Sequence, residues 1–417
     1  MMMKFLSRFL LLVSALFIAA FISVLLLKVE RPAGAAPTDI QLSPVATLAY
    51  NSAAEKALQR FDALQRSKAY PSISASVFIG AKHVWSASKG YADLQSASPA
   101  SIQSVYPIGS VSKPFTAALT MKLAEGGAVD LDAPIGMMAD GLSDEYAALT
   151  LRQLLSHQAG VRHYKFAWKP PVFTENGLNH EYESIQDSLS IFIHDPLLFP
   201  PDEGFEYSTY GYTLASYVLE QATGKTFLKL LNDELAAPLS LTTLAADRQG
   251  EAMTERTSDY ISALRRLAIF PSPQTNSSYK WAGGGLIATP EDLARFGAAL
   301  LNNDYLSEAS FLEMTTPRKT KDGNNNPQHY GLGWRSGTMT YPRESETATP
   351  IIHHGGTALG AECALLLAPE LNISVAACGN AFTGGSGHVV QLAADIARDF
   401  TEADLSNFDS LINENLR

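Results

Sequence analysis

Cysteine is scarce in this chain, with only Cys363 and Cys378 among 417 residues. Two cysteines cannot build a disulfide framework, nor complete a zinc site by themselves. Clustered positive charge is also missing. The formal net charge is −11, with no run of five Lys/Arg. That argues against a nucleic-acid partner, whose phosphates demand a basic face. The chain has no Gly-x-Ser-x-Gly nucleophile elbow, P-loop, Rossmann fingerprint or His-Glu-x-x-His ligand set. No metal or other cofactor is therefore expected. Internal repeats are absent too. What remains is a composition of 46% hydrophobic and 18% charged residues, enough to bury a sizeable core.

The longest apolar run stands at the N-terminus. Phe9 to Leu27 is 19 residues without a charge, preceded by Lys4 and Arg8. This length favours a membrane-spanning helix over the shorter core of a cleaved signal. Basic residues ahead of it keep the N-terminus cytoplasmic, so the remainder is expected outside the cytoplasm, anchored in the inner membrane and periplasmic. The small-residue run Ala33-Gly-Ala-Ala36 leaves a cleavage site, and hence secretion, as the alternative. Residues 28–49 read as a Pro/Ala-rich linker, 50–405 as the folded domain and 406–417 as a polar tail.

Within the domain, Ser52-Ala-Ala-Glu55 reads as a capping box opening a helix with Leu58, Phe61 and Leu64 on one side. SISASVFI and HVWSAS form a hairpin. Ser110 to Glu125 reads as a helix stopped by Gly126-Gly127. From about residue 130 to 270 come short helices and loops, one helix capped by Gly224. Thr289-Pro-Glu-Asp292 starts another helix. Strand-like YGLGWR, PIIHHGG, ECALLLA and ISVAACG follow, then a helix near Val389–Phe400. Strands at both ends with helices between predict an α+β fold. One antiparallel sheet is flanked by the N- and C-terminal helices and carries an all-α lobe, with a cleft between the two. If Ala368 pairs with Ile373, Cys363 stands opposite Cys378. They are then two small core residues on one sheet face or, in an exported domain, a cross-strand disulfide.

Ser-x-x-Lys occurs at Ser86–Lys89, Ser110–Lys113 and Ser277–Lys280. As a nucleophile, serine needs a nearby base and a site that stabilises the oxyanion. Three-residue spacing brings Ser and Lys together only on a helix. Ser86–Lys89 falls on a strand, where odd spacing separates the faces, and Ser277–Lys280 falls in a loop. Ser110–Lys113 opens a helix whose first turn tolerates Pro114. Tyr207, before a later helix, is suited to move protons if Lys113 lowers its pKa. His353, in Ile352-His-His-Gly-Gly356, would face the cleft, with glycines that admit a substrate backbone. Each element alone has an ordinary explanation: a helix cap, a half-buried aromatic, a pair of strand histidines.

In this order, Ser-x-x-Lys, Tyr-x-Thr and His-x-Gly resemble the signature of the serine β-lactamase and penicillin-binding superfamily. The flanks LRQLLSHQAGVRHY, YSTYGYTLASYVLEQATG, GGGLIATPEDLARF and HHGGTALGAECALLLAP are similar to its class C branch. That branch includes mitochondrial β-lactamase-like proteases, family VIII esterases and D-aminopeptidases. The resemblance runs from about residue 50 to 400 and implies a β-lactamase/transpeptidase-like fold. It implies Ser110 as acylated nucleophile, Lys113 as its charge partner or base and Tyr207 as proton shuttle. It also implies an oxyanion hole from the backbone N–H groups of Ser110 and Gly356, with Thr209, His353 and Gly355 contacting substrate. Two positions depart from the pattern. Thr209 stands where class C enzymes have asparagine, and His353 where they keep lysine. Both disfavour efficient β-lactam hydrolysis and favour a small-molecule ester or peptide substrate. A penicillin-binding D,D-peptidase or weak β-lactamase is the alternative within enzymes. An inactive cell-wall-binding or scaffold member is the alternative outside them.

Overall fold

Alternation along two buried runs organises the molecule. In a computed structural model, residues 35–42, 50–165, 175, 179–248, 250, 253–263, 268–340 and 348–415 are described, with Ser14, Val29 and Pro32. The main strands are β1 (Thr38–Leu42), β2 (Ser72–Ile79), β3 (Lys82–Asp93), β4 (Arg335–Thr340), β5 (Ala348–Ala358), β6 (Ala361–Ala368) and β7 (Ile373–Gly379). The main helices are α1 (Asn51–Lys68), α2 (Ser112–Glu125), α3 (Thr209–Thr223), α4 (Pro290–Leu301) and α5 (Gly387–Asn415). All the main strands lie in one sheet in the order β1-β3-β2-β7-β6-β5-β4, every pairing antiparallel. The N-terminal hairpin thus joins the C-terminal strands, as the order of elements in the sequence requires.

The central strands are buried on both faces. On β6, Cys363, Leu365 and Leu367 enter one core while Ala364, Leu366 and Ala368 enter another. The first core lies under α2, α4 and the helical lobe. The second lies under α1 and α5, where Phe61, Trp85 and Phe400 pack together. At about 25 cal/mol per Å² of apolar surface removed from water, such two-sided burial is the dominant favourable contribution to this fold.

Several local expectations change. Ser52 makes no capping box, because the helix already starts at Asn51 behind Tyr50. A capping box does form at Thr150 and Gln153. Residues 38–42, read as linker, form β1 on the edge of β3. Of YGLGWR only Arg335 enters a strand. Helix α5 runs on past residue 405 to Asn415. Register bears out the pairing of Ala368 with Ile373 and of Cys363 with Cys378, and the two sulfurs are bonded. The apolar run Phe9–Leu27 lies outside the described residues except for Ser14. Among the described residues no helix is long and apolar enough to cross a membrane.

Candidate active site

Ser110 sits in a tight turn, Gly109–Val111, that leads directly into α2. Gly109 takes φ +51°, and a Cβ there would lie 2.7 Å from the backbone nitrogen of Thr357 on β5. Gly356 is equally constrained, since its Cβ would meet the Ile108 carbonyl oxygen at 1.9 Å. Two glycines therefore let the serine turn and the sheet touch backbone to backbone. Pro114 occupies the first helical turn, where its missing N–H leaves no intrahelical bond unmade.

Lys113, one turn on, is fully buried. Its Nζ donates to Ser110 Oγ at 3.3 Å, Thr209 Oγ1 at 3.2 Å and the Gly283 carbonyl at 2.5 Å. Nζ also lies 4.7 Å from the centre of the Tyr207 ring. Burial lowers the Lys113 pKa, with Tyr207 opposing that shift and Arg335 adding to it. For Tyr207, burial pushes upward, but the charges of Lys113 and Arg335 and hydrogen bonds from Ser110 and Lys113 outweigh it. The phenol ends below its ordinary value.

Tyr207 is held by its chain neighbours. Ser208 caps α3, accepting from the Gly211 N–H at 3.0 Å and donating to the Arg162 carbonyl at 2.7 Å. Its own N–H donates to His157 Nδ1 at 3.1 Å, and the Thr209 N–H donates to His163 Nδ1 at 3.2 Å. The His157 ring packs 4.4 Å from that of Tyr207. Burial, with Lys113 next, keeps both imidazoles uncharged: His157 well below its usual pKa and His163 at about 3. Neither histidine was singled out from sequence, although SHQAGVRHY places them six residues apart before the tyrosine element.

The structure departs from the sequence reading on β5. Ala358 and Ala361 flank a two-residue turn and exchange backbone hydrogen bonds, so Gly356↔Cys363 and His354↔Leu365 do the same. The 4.1 Å Cα spacing of Cys363 and Cys378 agrees, marking the non-bonded type of pair on the other side of β6. The Gly356 N–H is thus committed to the sheet and does not point into the cleft. The Thr357 N–H points the opposite way, past the end of β4 and beside Gly109. Alternation also separates the two histidines. His354 faces the helical lobe, with its ring 6.3 Å from that of Tyr207. His353 lines the cleft from the other side, its Nδ1 without a partner, and burial and then Arg335 lower its pKa to about 4.

These groups border a cleft of about 510 Å³, with Ser110, Tyr207, Thr209, Arg335, His353 and Gly355 in its walls. Arg335 and Lys280 also reach it, and neither is among the site residues that the sequence points to. The sequence places Ser277–Lys280 in a loop, but Ser278–Lys280 forms a 3-10 turn running into the short helix Trp281–Gly284. The lysine reaches the cleft wall, and burial lowers its pKa to about 8. Ser86 and Lys89 part as expected, toward Ser76 Oγ and Asp62 respectively.

Among solved structures, the chain resembles the D-amino acid amidase from Ochrobactrum anthropi SV3 complexed with L-phenylalanine amide. The TM-score is 0.69 at 20% identity, covering 85% of this chain and 99% of that one. A penicillin-binding protein homologue from Pyrococcus abyssi matches with a TM-score of 0.66 and 22% identity, covering 82% and 76% of the chains. These likenesses establish the fold. In sequence, the chain is 27% identical over 414 residues to the mouse (Mus musculus) serine beta-lactamase-like protein LACTB, mitochondrial, covering 79% of this chain and 75% of that protein. It is 25% identical over 279 residues to penicillin-binding protein 4* of Bacillus subtilis, covering 64% and 59%. The Beta-lactamase family model matches residues 57–398 without leaving the domain described above, and the chain belongs to that family.

Proposed function

We propose that this protein is a serine hydrolase that cleaves an ester or peptide/amide bond through an acyl-enzyme on Ser110. The observation that carries this reading is the position of Lys113 Nζ, 3.3 Å from Ser110 Oγ and 4.7 Å from the Tyr207 ring. The ammonium already donates to three oxygens, so it acts as a held charge, and Tyr207 is the group suited to accept a proton. Ser110 Oγ attacks the substrate carbonyl while its proton passes to Tyr207. Collapse of the tetrahedral intermediate breaks the scissile bond, and Tyr207 returns the proton to the leaving group. Water, deprotonated by the same phenolate, then frees the acid and regenerates Ser110. The backbone N–H groups of Ser110 and Thr357 stabilise the oxyanion, Thr357 replacing the Gly356 donor expected from sequence.

An inactive scaffold would have no use for a buried lysine lowered in pKa beside a serine, so the catalytic reading is preferred. Similarity to penicillin-binding protein 4* supports testing β-lactams and D-Ala-D-Ala peptides alongside short-chain esters. The domain is taken to run from β1 into α5, anchored through Phe9–Leu27 and exported. The Cys363–Cys378 disulfide supports export, since such bonds persist in oxidising compartments.

A fluorophosphonate probe is expected to label the wild-type protein at Ser110, as mapped by peptide mass, and to leave Ser110→Ala unlabelled. Equal labelling of the two proteins would end the assignment.

A further inference from the structure

Two charged side chains in the cleft, Lys280 and Arg335, have no role in the steps above, and Arg335 is the one that lies against Tyr207. Arg335 opens β4, and its Cζ lies 5.1 Å from the Tyr207 ring centre and 5.3 Å from that of Tyr330. A guanidinium has five N–H donors. Here Nε and Nη2 both donate to Gln328 Oε1, at 3.0 and 2.6 Å. Nη1 donates to His354 Nε2 at 3.1 Å. That nitrogen is free to accept because Nδ1–H of His354 is committed to the Gly355 carbonyl at 2.8 Å. The Tyr330 hydroxyl donates to the same Nε2 at 3.0 Å. None of these partners is a carboxylate, and no Asp or Glu lines the cleft among the described residues. A guanidinium clamped by neutral acceptors keeps its full charge directed at its surroundings, where low polarity lengthens its reach.

We propose that Arg335 is a positioning residue of the catalytic centre, the second cation after Lys113 that holds Tyr207 ready to take the proton of Ser110, with Gln328 and His354 setting its guanidinium. The inference rests on the reading of Ser110 and Tyr207 given above. Tyr207 is faced by Ser110 and Lys113 from the start of α2, by His157, His163 and Tyr164 from the segment after Leu151–Leu155, by Tyr212 from α3, by Tyr330 and Arg335 from the β4 side, and by His354 from β5. Burial raises the pKa of Tyr164, Tyr212 and Tyr330, so these phenols are neutral near pH 7. Burial keeps all three histidines neutral, leaving Lys113 and Arg335 as the charges that act on the phenol near pH 7. At the strand position where the family resemblance calls for a lysine, this chain has histidines, and the cation comes from the adjoining strand.

The test is the pH profile of kcat/KM for p-nitrophenyl butyrate, a neutral ester that makes no charge contact with arginine. Arg335→Met is expected to move the acid limb up by about one unit or more, so that the loss is about tenfold or greater at low pH and narrows at high pH. Arg335→Lys should recover most of the shift, and Gln328→Leu should move the limb the same way by less. Thermal melting separates these effects from misfolding. If Arg335→Met does not fold, the profile of Gln328→Leu decides. A uniform loss at every pH, with the limb unmoved, overturns the inference. Failure of the fluorophosphonate to label wild-type Ser110 would instead bring down the hydrolase reading. Labelled Ser110 with an unmoved limb brings down only the role of Arg335.

Discussion

At the scale of single residues, the site depends on charges placed where water is scarce. Lys113 has three acceptors and no carboxylate among them. Lys113→Met should therefore lower kcat/KM by on the order of a thousandfold, because it removes both the charge beside Tyr207 and the contact with Ser110. The proton-accepting form of Tyr207 is the phenolate, and its pKa sits below the ordinary value. The rate should accordingly rise with pH through that titration, with a midpoint below that of an ordinary tyrosine, in a kcat/KM profile for a neutral ester. His353 makes a contrasting case. With a pKa of about 4 it is uncharged throughout the neutral range. His353→Gln should leave the shape of the profile between about pH 5 and pH 8 unmoved; a lost or shifted limb would return His353 to the catalytic face. Gly356 tolerates no side chain, since a Cβ would lie 1.9 Å from a carbonyl oxygen.

At the scale of elements, strand register decides more than strand identity. The hairpin of β5 and β6 sets which N–H groups on β5 are paired and which are open, and one step along the strand exchanges them. This is why Thr357, and not Gly356, turns its N–H toward the serine turn. The same parity puts His354 beside Tyr207 and His353 on the far wall. On the other side of β6, the disulfide closes a loop across a sequence separation of 15 residues. Removing it by Cys363→Ala with Cys378→Ala should lower stability by about 3 kcal/mol on the chain-entropy estimate. Thermal unfolding with and without reductant measures it, and an unchanged midpoint would assign the stability of this strand pair to packing alone. β1 shows a different limit of sequence reading. Thr38–Leu42 is short and its apolar alternation amounts to Ile40 and Leu42, with Ile40 exposed, too little to mark a strand, yet it pairs with β3 along its whole length. Backbone groups make that edge, and they leave no trace in side-chain pattern.

At the scale of the whole molecule, two cores share one sheet, and the cleft opens where the helical lobe meets the edge of β5. If Phe9–Leu27 anchors the protein as proposed, deleting the first 27 residues should move it from the membrane fraction to the soluble fraction with its melting temperature kept. Fractionation and melting check this together, and a deletion variant that stays with membranes would reject the anchor. Much of this architecture was legible in the residues themselves. Alternation in ECALLLA and ISVAACG, glycine stops after α2 and α3, and the proline at the start of α4 are local signals, and local backbone preferences act on them directly. Ser110, Lys113 and Tyr207 were also legible, because helix spacing and a capped helix start are short-range facts. The sequence by itself thus determined most of the strand and helix pattern outside β1 and β4, that the terminal strands share one antiparallel sheet, and the candidate nucleophile. Only the tertiary structure decided which histidine faces the phenol, which N–H points into the cleft, and that Arg335, Lys280, His157 and His163 surround it. Those choices depend on register and on chain segments meeting across more than a hundred residues, and no periodicity along the chain encodes such meetings.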